Sequence, residues 1–476
     1  MKETAIMKKV LVLIAAISIL AGFGLAQTMG NNKMVAKVTG GVRWSQCAFG
    51  PDGVLHICFE EDTDRGHPIW YFNYDGTKSS ELFNVTDSMD RRGERPGITV
   101  SPRGYVVVTW GEDIGDMVFM RVYNPQTKAW QPIETVGAGY GWSEPNAAMD
   151  AAGNIYIFYS SESAGRVYVR AKLNGVWEEA KKLNSAYGKQ GGVAVGPDGT
   201  AWALWREKQS NGNYKNWYSK RVKGGAWTSA AVVWTGGGSA SHPYITVGPN
   251  NIAIAAWGDI DPVLESGAEI RTMRLETGET REIPIPMYMQ HYPRPAVDAN
   301  NKIHLAVQLG GGDTGDGCFY TNNVTGSWSS TQALLSSWPK VPGISADVFG
   351  NVAICQSNML FSTAGSEIYV WSLQPIVPKR FFAPLNLSAT VALKSLRKAP
   401  EITYNLAWSA NPENTEAFIQ GYDIYVKEGE GEYTLLTSVS KTTFATSLKF
   451  TDLTKKRRFA LATVGPSGVE SDLVEF

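Results

Sequence analysis

Apolar residues in this chain fall in short runs, each about six residues long and bounded by glycine or asparagine. The clearest are VLHICF, YVVVTW, NIYIFY, TAWALW, IAIAAW, KIHLAV and NVAICQ, and each follows a turn. Those turns read GPDG at 50–53, SPRG at 101–104, AAG at 151–153, GPDG at 196–199, GPNN at 248–251, ANN at 299–301 and FG at 349–350. With Gly53, Gly104, Gly153, Gly199, Asn251, Asn301 and Gly350 as markers, the successive intervals are 51, 49, 46, 52, 50 and 49 residues. Gly and Asn tolerate the positive φ of tight hairpins, and runs this short and rich in β-branched and aromatic residues predict strands. The runs are apolar at consecutive positions, so the strands are expected to be covered on both faces.

Further features keep register with the turn. A third strand follows in each repeat (IWYFNY, VFMRVY, RVYVRAKL, NWYSKRV, EIRTMRL, CFYTNNV, EIYVWSL). A Gly-containing turn such as Asp75-Gly76, Asn174-Gly175, Gly224-Gly225 or Thr325-Gly326 then leads to a fourth. Eight residues before the marker stands a proline in five repeats (Pro96, Pro145, Pro243, Pro293, Pro342), read as the start of a first strand, where no ladder donor is needed. A β repeat of about 50 residues, each a four-stranded meander, predicts the blades of a β-propeller or a β-solenoid. The prediction is an all-β chain with a seven-bladed β-propeller over 34–373. The seventh repeat is one strand short, and segment 34–39 is expected to supply it and close the ring's open edge.

Composition changes the picture in two ways. Lys+Arg 44 against Asp+Glu 45, with no basic block, excludes nucleic acid or an anionic membrane as the main partner. The start of the chain reads as a signal peptide over 1–26: Lys8 and Lys9, an apolar run over 10–26, and Gly24-Leu25-Ala26 before a cut ahead of Gln27. That predicts a secreted, extracellular or periplasmic protein without a membrane span after cleavage. Export permits disulfides. A turn at 51–54 would set Cys47 opposite Cys58, while Cys58 and Cys355 share one repeat position in repeats that become neighbours on ring closure. Both pairings stay open.

A proline-rich linker at 374–384 ends at Pro384-Leu385, and residues 385–476 then carry ITYNLAW ending at Trp408, QGYDIYVK with Tyr422 and Tyr425, YTLLTSV, Leu453, FALATV and GPSGVES. These resemble a fibronectin type III domain, an immunoglobulin-like β-sandwich. The resemblance implies a buried Trp408 with Tyr422 and Tyr425 on the facing sheet. Phe459 replaces the family's corner tyrosine. The domain is expected to act as a spacer or a docking module for protein partners.

Candidate chemistry lies where the repeat is least repetitive. Just before the proline position stand Trp44, Arg95, Glu144, Gln190, His242, Tyr292 and Val341, and one residue after it Gln46, Gly97, Asn146, Gly192, Tyr244, Arg294 and Gly343. These positions project to the axial mouth, a ring of polar and aromatic residues differing from blade to blade. Glu61, Glu112, Glu207 and Asp259 instead follow an aromatic at one fixed offset. Paired carboxylates suit glycoside hydrolysis, but such repetition reads as loop capping. Trp130, Trp177, Trp227 and Trp328 also recur, and read as blade packing before sugar stacking. His56 and His304 share a position between blades; His67, His242 and His291 do not. No zinc spacing, catalytic-serine elbow or phosphate loop occurs, and no metal or cofactor is implied.

Over 34–373 the P-D-G turns, aromatic-ended strands and Gly-x-Trp segments resemble sialidase-like and lectin-like propellers, without their Asp-boxes and without a complete arginine triad. The resemblance implies a fold rather than an activity. The leading expectation is a binding protein for a glycan or cell-surface polymer, with ligand residues Trp44, Arg95, Glu144, Gln190, His242, Tyr292 and Arg294. The alternatives are a glycoside hydrolase or polysaccharide lyase using mouth residues such as Glu144, Tyr292, His242 and Arg95, and an extracellular protein-interaction scaffold.

Overall fold

The computed structural model describes residues 27–112, 116–139, 145–161, 163–235, 238–260, 269–275, 277–283, 292–309, 317–335, 341–358, 365–378, 381, 383–394, 401–412, 414, 419–465 and 470–476. The proposed signal peptide lies outside them. Among the described residues all regular structure is β, and no helix is long and apolar enough to cross a membrane.

Among the described residues, seven antiparallel sheets fall within 41–84, 93–138, 146–182, 188–232, 239–283, 292–335 and 343–372. Each runs in chain order, first strand to last, with an extra two-residue strand in the second and third. Cores form between sheets, not within them. Ile69 and Cys58 of the first sheet pack with Val108 and Trp110 of the second; Phe158 of the third packs with Trp205 of the fourth. Around the set, each sheet shares a core with the next, and Ala353 and Cys355 of the seventh pack with Ile57 and Phe59 of the first. The sheets therefore form a closed, propeller-like ring. A strand covered on both faces must be apolar at successive positions, which is why Val106–Glu112 is buried at every residue.

The missing strand of the seventh sheet comes from the start of the chain. Gly30–Val38 pairs antiparallel with Ser366–Ser372, with Val38 opposite Ser366 and Met34 opposite Tyr369. It is longer than the expected 34–39. The linker is also part of the ring's periphery: Ile376 is buried in the core between seventh and first sheets, and its carbonyl lies where a Cβ on Gly76 (φ 92°) would sit.

The cysteines correct the sequence reading. All four are buried free thiols and no disulfide forms among the described residues. The first hairpin closes through Gly50 N donating to Val54 O, which sets Cys47 opposite Ile57 and Gln46 opposite Cys58. The five-residue turn, with Gly53 at φ 75°, shifts the register by one residue from the expected four-residue turn. A one-residue shift sends Cys47 and Cys58 to opposite faces of the sheet. Cys47 joins Cys355 in the core facing the seventh sheet, whereas Cys58 faces the second, so neither expected pairing is formed.

Residues 385–476 form two further sheets. Leu385–Lys394, Glu401–Ser409 and Ala445–Phe450 make one; Thr434–Ser440, Gly421–Glu428, Arg457–Val464 and Val474–Glu475 make the other. They enclose Trp408, Leu406, Tyr422, Ile424, Phe459 and Leu461. Tyr422 faces Trp408 across this core, while Tyr425 points to the other side and donates its hydroxyl to Glu470 at 2.6 Å.

Candidate functional site at the ring mouth

The innermost strand of every sheet touches the first strand of the next, and the seventh touches the first. Near their starts, four of these strands share a distortion. The pairing register breaks between Arg43 and Gln46, Glu94 and Gly97, Lys189 and Gly191, and Ser241 and Tyr244. Within each break one residue takes a left-handed backbone: Trp44 at φ 51°, Arg95 at 52°, Gln190 at 46° and His242 at 42°. These are the residues expected at the mouth in their repeats. Pro96 and Pro243 therefore sit inside strands Gly93–Val100 and Ser239–Val247 at a bulge, not at a strand start as expected. A bulge leaves a residue unpaired, so it accommodates a residue without an N–H. Left-handed backbone is disfavoured for side chains other than Gly, Asn and Asp, by about 1–2 kcal/mol. Glu60 offsets part of this by accepting from Arg95 N at 3.0 Å.

The bulges bring side chains from distant parts of the chain together. Arg95 lies over the Trp44 ring, 4.7 Å from its centroid. Trp44 meets Tyr292 edge-on at 5.7 Å, and Tyr292 meets His242 at 4.0 Å. This run joins the second, first, sixth and fifth sheets. Arg294 sits 3.7 Å from the centroid of Tyr244, a second contact between fifth and sixth. Gln190 shares the bulge geometry, and its Oε1 is buried with no hydrogen-bond partner among the described residues. Glu144 and His291 lie outside the described residues.

His242 is buried beside Ser241 Oγ, 2.6 Å from Nδ1. Burial, then repulsion from Arg206, Arg95, Lys189 and Arg294, holds it well below the ordinary histidine range, so its imidazole is neutral near pH 7. Glu60 is buried too; burial foremost, with Glu94 nearby, raises its carboxyl to about 7.

Lys189 and Arg206 were not among the expected site residues. Both lie over Tyr214, at 5.5 and 4.6 Å from its centroid. A signal for Arg206 exists: the residue after each second-strand run reads Glu60, Gly111, Ser160, Arg206, Gly258, Gln308 and Ser357, five residue types in seven repeats. Several members of the second projected ring are structural instead. A Cβ on Gly97 would stand 2.7 Å from Pro145 O, and one on Gly343 2.6 Å from Cys47 N. Asn146 Oδ1 accepts from Val193 N at 3.0 Å.

The repeated residues behave as packing and capping groups. Glu207 accepts from Trp205 Nε1 at 2.7 Å and from Ser185 N and Ala186 N at 3.3 and 3.1 Å. Glu61 accepts from Trp70 Nε1 and Gly40 N, Glu112 from Trp110 Nε1 and Arg91, and Asp259 from Arg271. Trp130 stacks on Phe83 at 5.2 Å, and Trp177 donates to Glu134 of the preceding sheet. His56 and His304 each bond the third-strand tyrosine of their own repeat, Tyr71 and Tyr320. No group of three His, Cys, Asp or Glu among the described residues could hold a metal ion.

No protein-family model matches the chain, and no curated protein matches it. Among solved structures, similarity extends to a protein of unknown function from Dyadobacter fermentans (10% identity, TM-score 0.47, 73% of this chain and 98% of that one). It extends also to an ulvan lyase of polysaccharide lyase family 25 (12%, 0.44, 67% and 94%) and to the Hadza microbial sialidase Hz136 (11%, 0.38, 70% and 65%).

Proposed function

We propose that this chain is an exported carbohydrate-binding protein, a seven-bladed β-propeller followed by a fibronectin type III domain, that takes its ligand at the axial mouth. One observation carries the reading: Arg95, Trp44, Tyr292 and His242 come from four sheets and form a continuous contact at one end of the ring. Sugars present polarised C–H faces to aromatic rings and hydroxyls to polar groups, and this surface offers both. Four strained backbone positions are kept where one structural residue would be easier to place, and such strain gathers at binding sites. Isothermal titration of the full chain against glycans from an array screen tests the reading. Binding that Trp44→Ala weakens at least about tenfold is expected, a loss of about 1.4 kcal/mol; no binding to any carbohydrate would overturn it.

A second reading, polysaccharide cleavage by β-elimination, is favoured by the His242–Tyr292 contact. Elimination needs a base for the proton on the carbon that bears the carboxyl and an acid for the oxygen leaving the adjacent carbon. A neutral imidazole and a phenol can divide those tasks. Glycoside hydrolysis is less well served, because the repeated carboxylates already accept indole, amide or guanidinium bonds. Unsaturated sugar ends released by the chain and abolished by Tyr292→Phe would establish the enzyme; their absence with intact binding would leave the lectin-like reading.

A further inference from the structure

We infer that the glycan taken at the mouth is acidic, its carboxylate or sulfate seated among Arg95, Lys189, Arg206 and Arg294 while a sugar face meets Trp44 and Tyr292. The inference rests on the carbohydrate reading and names the class of ligand.

The four cations arrive from three sheets: Arg95 from the second, Lys189 and Arg206 from the fourth, Arg294 from the sixth. Each lies over an aromatic ring, Arg95 on Trp44, Arg294 on Tyr244, and Lys189 with Arg206 on Tyr214. The rings hold the cationic heads in place, so an incoming anion meets pre-positioned donors and loses little to their ordering. Arginine presents donors in a fork that matches carboxylate and sulfate oxygens. All four cations act on one group, the buried His242, and each disfavours its protonated form. The four cations therefore gather around one part of the mouth, where positive side chains from three sheets can meet one anionic group.

Two neighbouring groups fit the same ligand. Gln190 Oε1, buried without a hydrogen-bond partner among the described residues, is an acceptor for a sugar hydroxyl. Glu60 is the carboxyl nearest the Arg95 backbone, and with its titration raised to about 7 it is partly protonated near neutral pH. It therefore opposes an anionic ligand less than an ordinary glutamate would.

The test uses two matched pairs of polymers with the full chain: polygalacturonate against its carboxyl-reduced form, and dextran sulfate against dextran. The charged member of at least one pair is expected to bind at least about tenfold more tightly than its neutral partner, with affinity falling as salt rises. The pair that responds identifies carboxylate or sulfate. Arg95→Gln should weaken that binding about tenfold. Lys189→Gln, at a less buried position, serves as the second variant if the first does not fold. Equal affinity for charged and neutral members would overturn the acidic assignment and leave the carbohydrate reading standing. Polyanion binding unchanged in both variants would overturn it as well, by locating the attraction elsewhere on the surface. Failure to bind these polymers or any other carbohydrate would overturn both.

Discussion

The ring of Glu61, Glu112, Glu207 and Asp259 and the ring of Trp44, Arg95, Gln190 and His242 come from the same sheets and lie at the same end of them. Across the first hairpin ladder of each sheet, Glu61 stands opposite Val42, Glu112 opposite Gly93, Glu207 opposite Gly188 and Asp259 opposite Ala240, a few residues from the bulges. The acidic ring repeats its residue type and turns toward its own sheet or the adjoining loops, accepting indole, amide and guanidinium hydrogens. The mouth ring changes from sheet to sheet and takes left-handed backbone, and its Trp44, Arg95 and His242 make contacts with other sheets. In a repeat protein a residue that recurs answers a need every repeat has, and one that differs can serve only the whole. The first ring should therefore govern stability and the second ligand affinity.

The sharpest way to break that division is Glu207→Ala. The change strips acceptors from the buried Trp205 indole and from the amides of Ser185 and Ala186. Leaving such donors without partners should cost about 3–5 kcal/mol, read as a lower urea midpoint, with ligand affinity unchanged. A loss below about 1 kcal/mol, or a parallel loss of binding, would contradict the assignment of this ring to structure.

Glu60 sits between the two rings, and its pH dependence tests which it serves. Its folded carboxyl titrates near 7 against an ordinary value of 4.5, so the folded state holds its proton more tightly than the unfolded chain. Stability is then full below about pH 4.5, falls as pH rises to about 7, and stays lower above, a change of about 3 kcal/mol. His67, facing Glu60, Glu94 and Asp62, is raised as well and acts in the same direction. Glu60→Gln should flatten the stability difference between about pH 5 and about pH 8 in chemical denaturation. An unaltered slope would mean that another group carries it.

Next in size is Trp44→Ala, which removes the ring that both Arg95 and Tyr292 contact. Affinity for the acidic glycan should fall about 10–100-fold, near 2 kcal/mol, with the melting temperature shifting by only a few degrees. A large drop in melting temperature with binding preserved would move Trp44 into the structural ring.

Much of this contrast was legible in the chain, and the illegible part has physical causes. Turns at near-constant spacing, strands apolar on both faces and a spare N-terminal segment correspond to the propeller-like set of small sheets among the described residues and to the pairing of Gly30–Val38 with Ser366–Ser372. The positions of Trp44, Arg95, Gln190 and His242 stood out in the chain because they broke the repeat. Their left-handed backbone was not, although Pro96 and Pro243 inside otherwise regular strands pointed to bulges. The cysteine geometry failed at a single turn residue, since counting Gly50 into the turn flips the face of everything before it. Lys189 and Arg206 were missed because what brings them together is Tyr214, a third-strand residue whose ring meets both.

The smallest effect separates the rings by sign. Gln190 holds φ 46° and keeps a buried amide oxygen without a hydrogen-bond partner among the described residues, so it costs the fold on two counts. Glycine adopts that backbone without strain and removes the stranded acceptor, at the expense of some extra freedom in the unfolded chain. Gln190→Gly should therefore stabilise the protein by up to about 1 kcal/mol, raising the melting temperature by a few degrees, while affinity for the acidic glycan falls a few-fold. No substitution in the acidic ring should show that pairing of gained stability with lost binding. If Gln190→Gly instead lowers stability and leaves affinity alone, Gln190 belongs with Glu207, and the boundary between the two rings has been drawn in the wrong place.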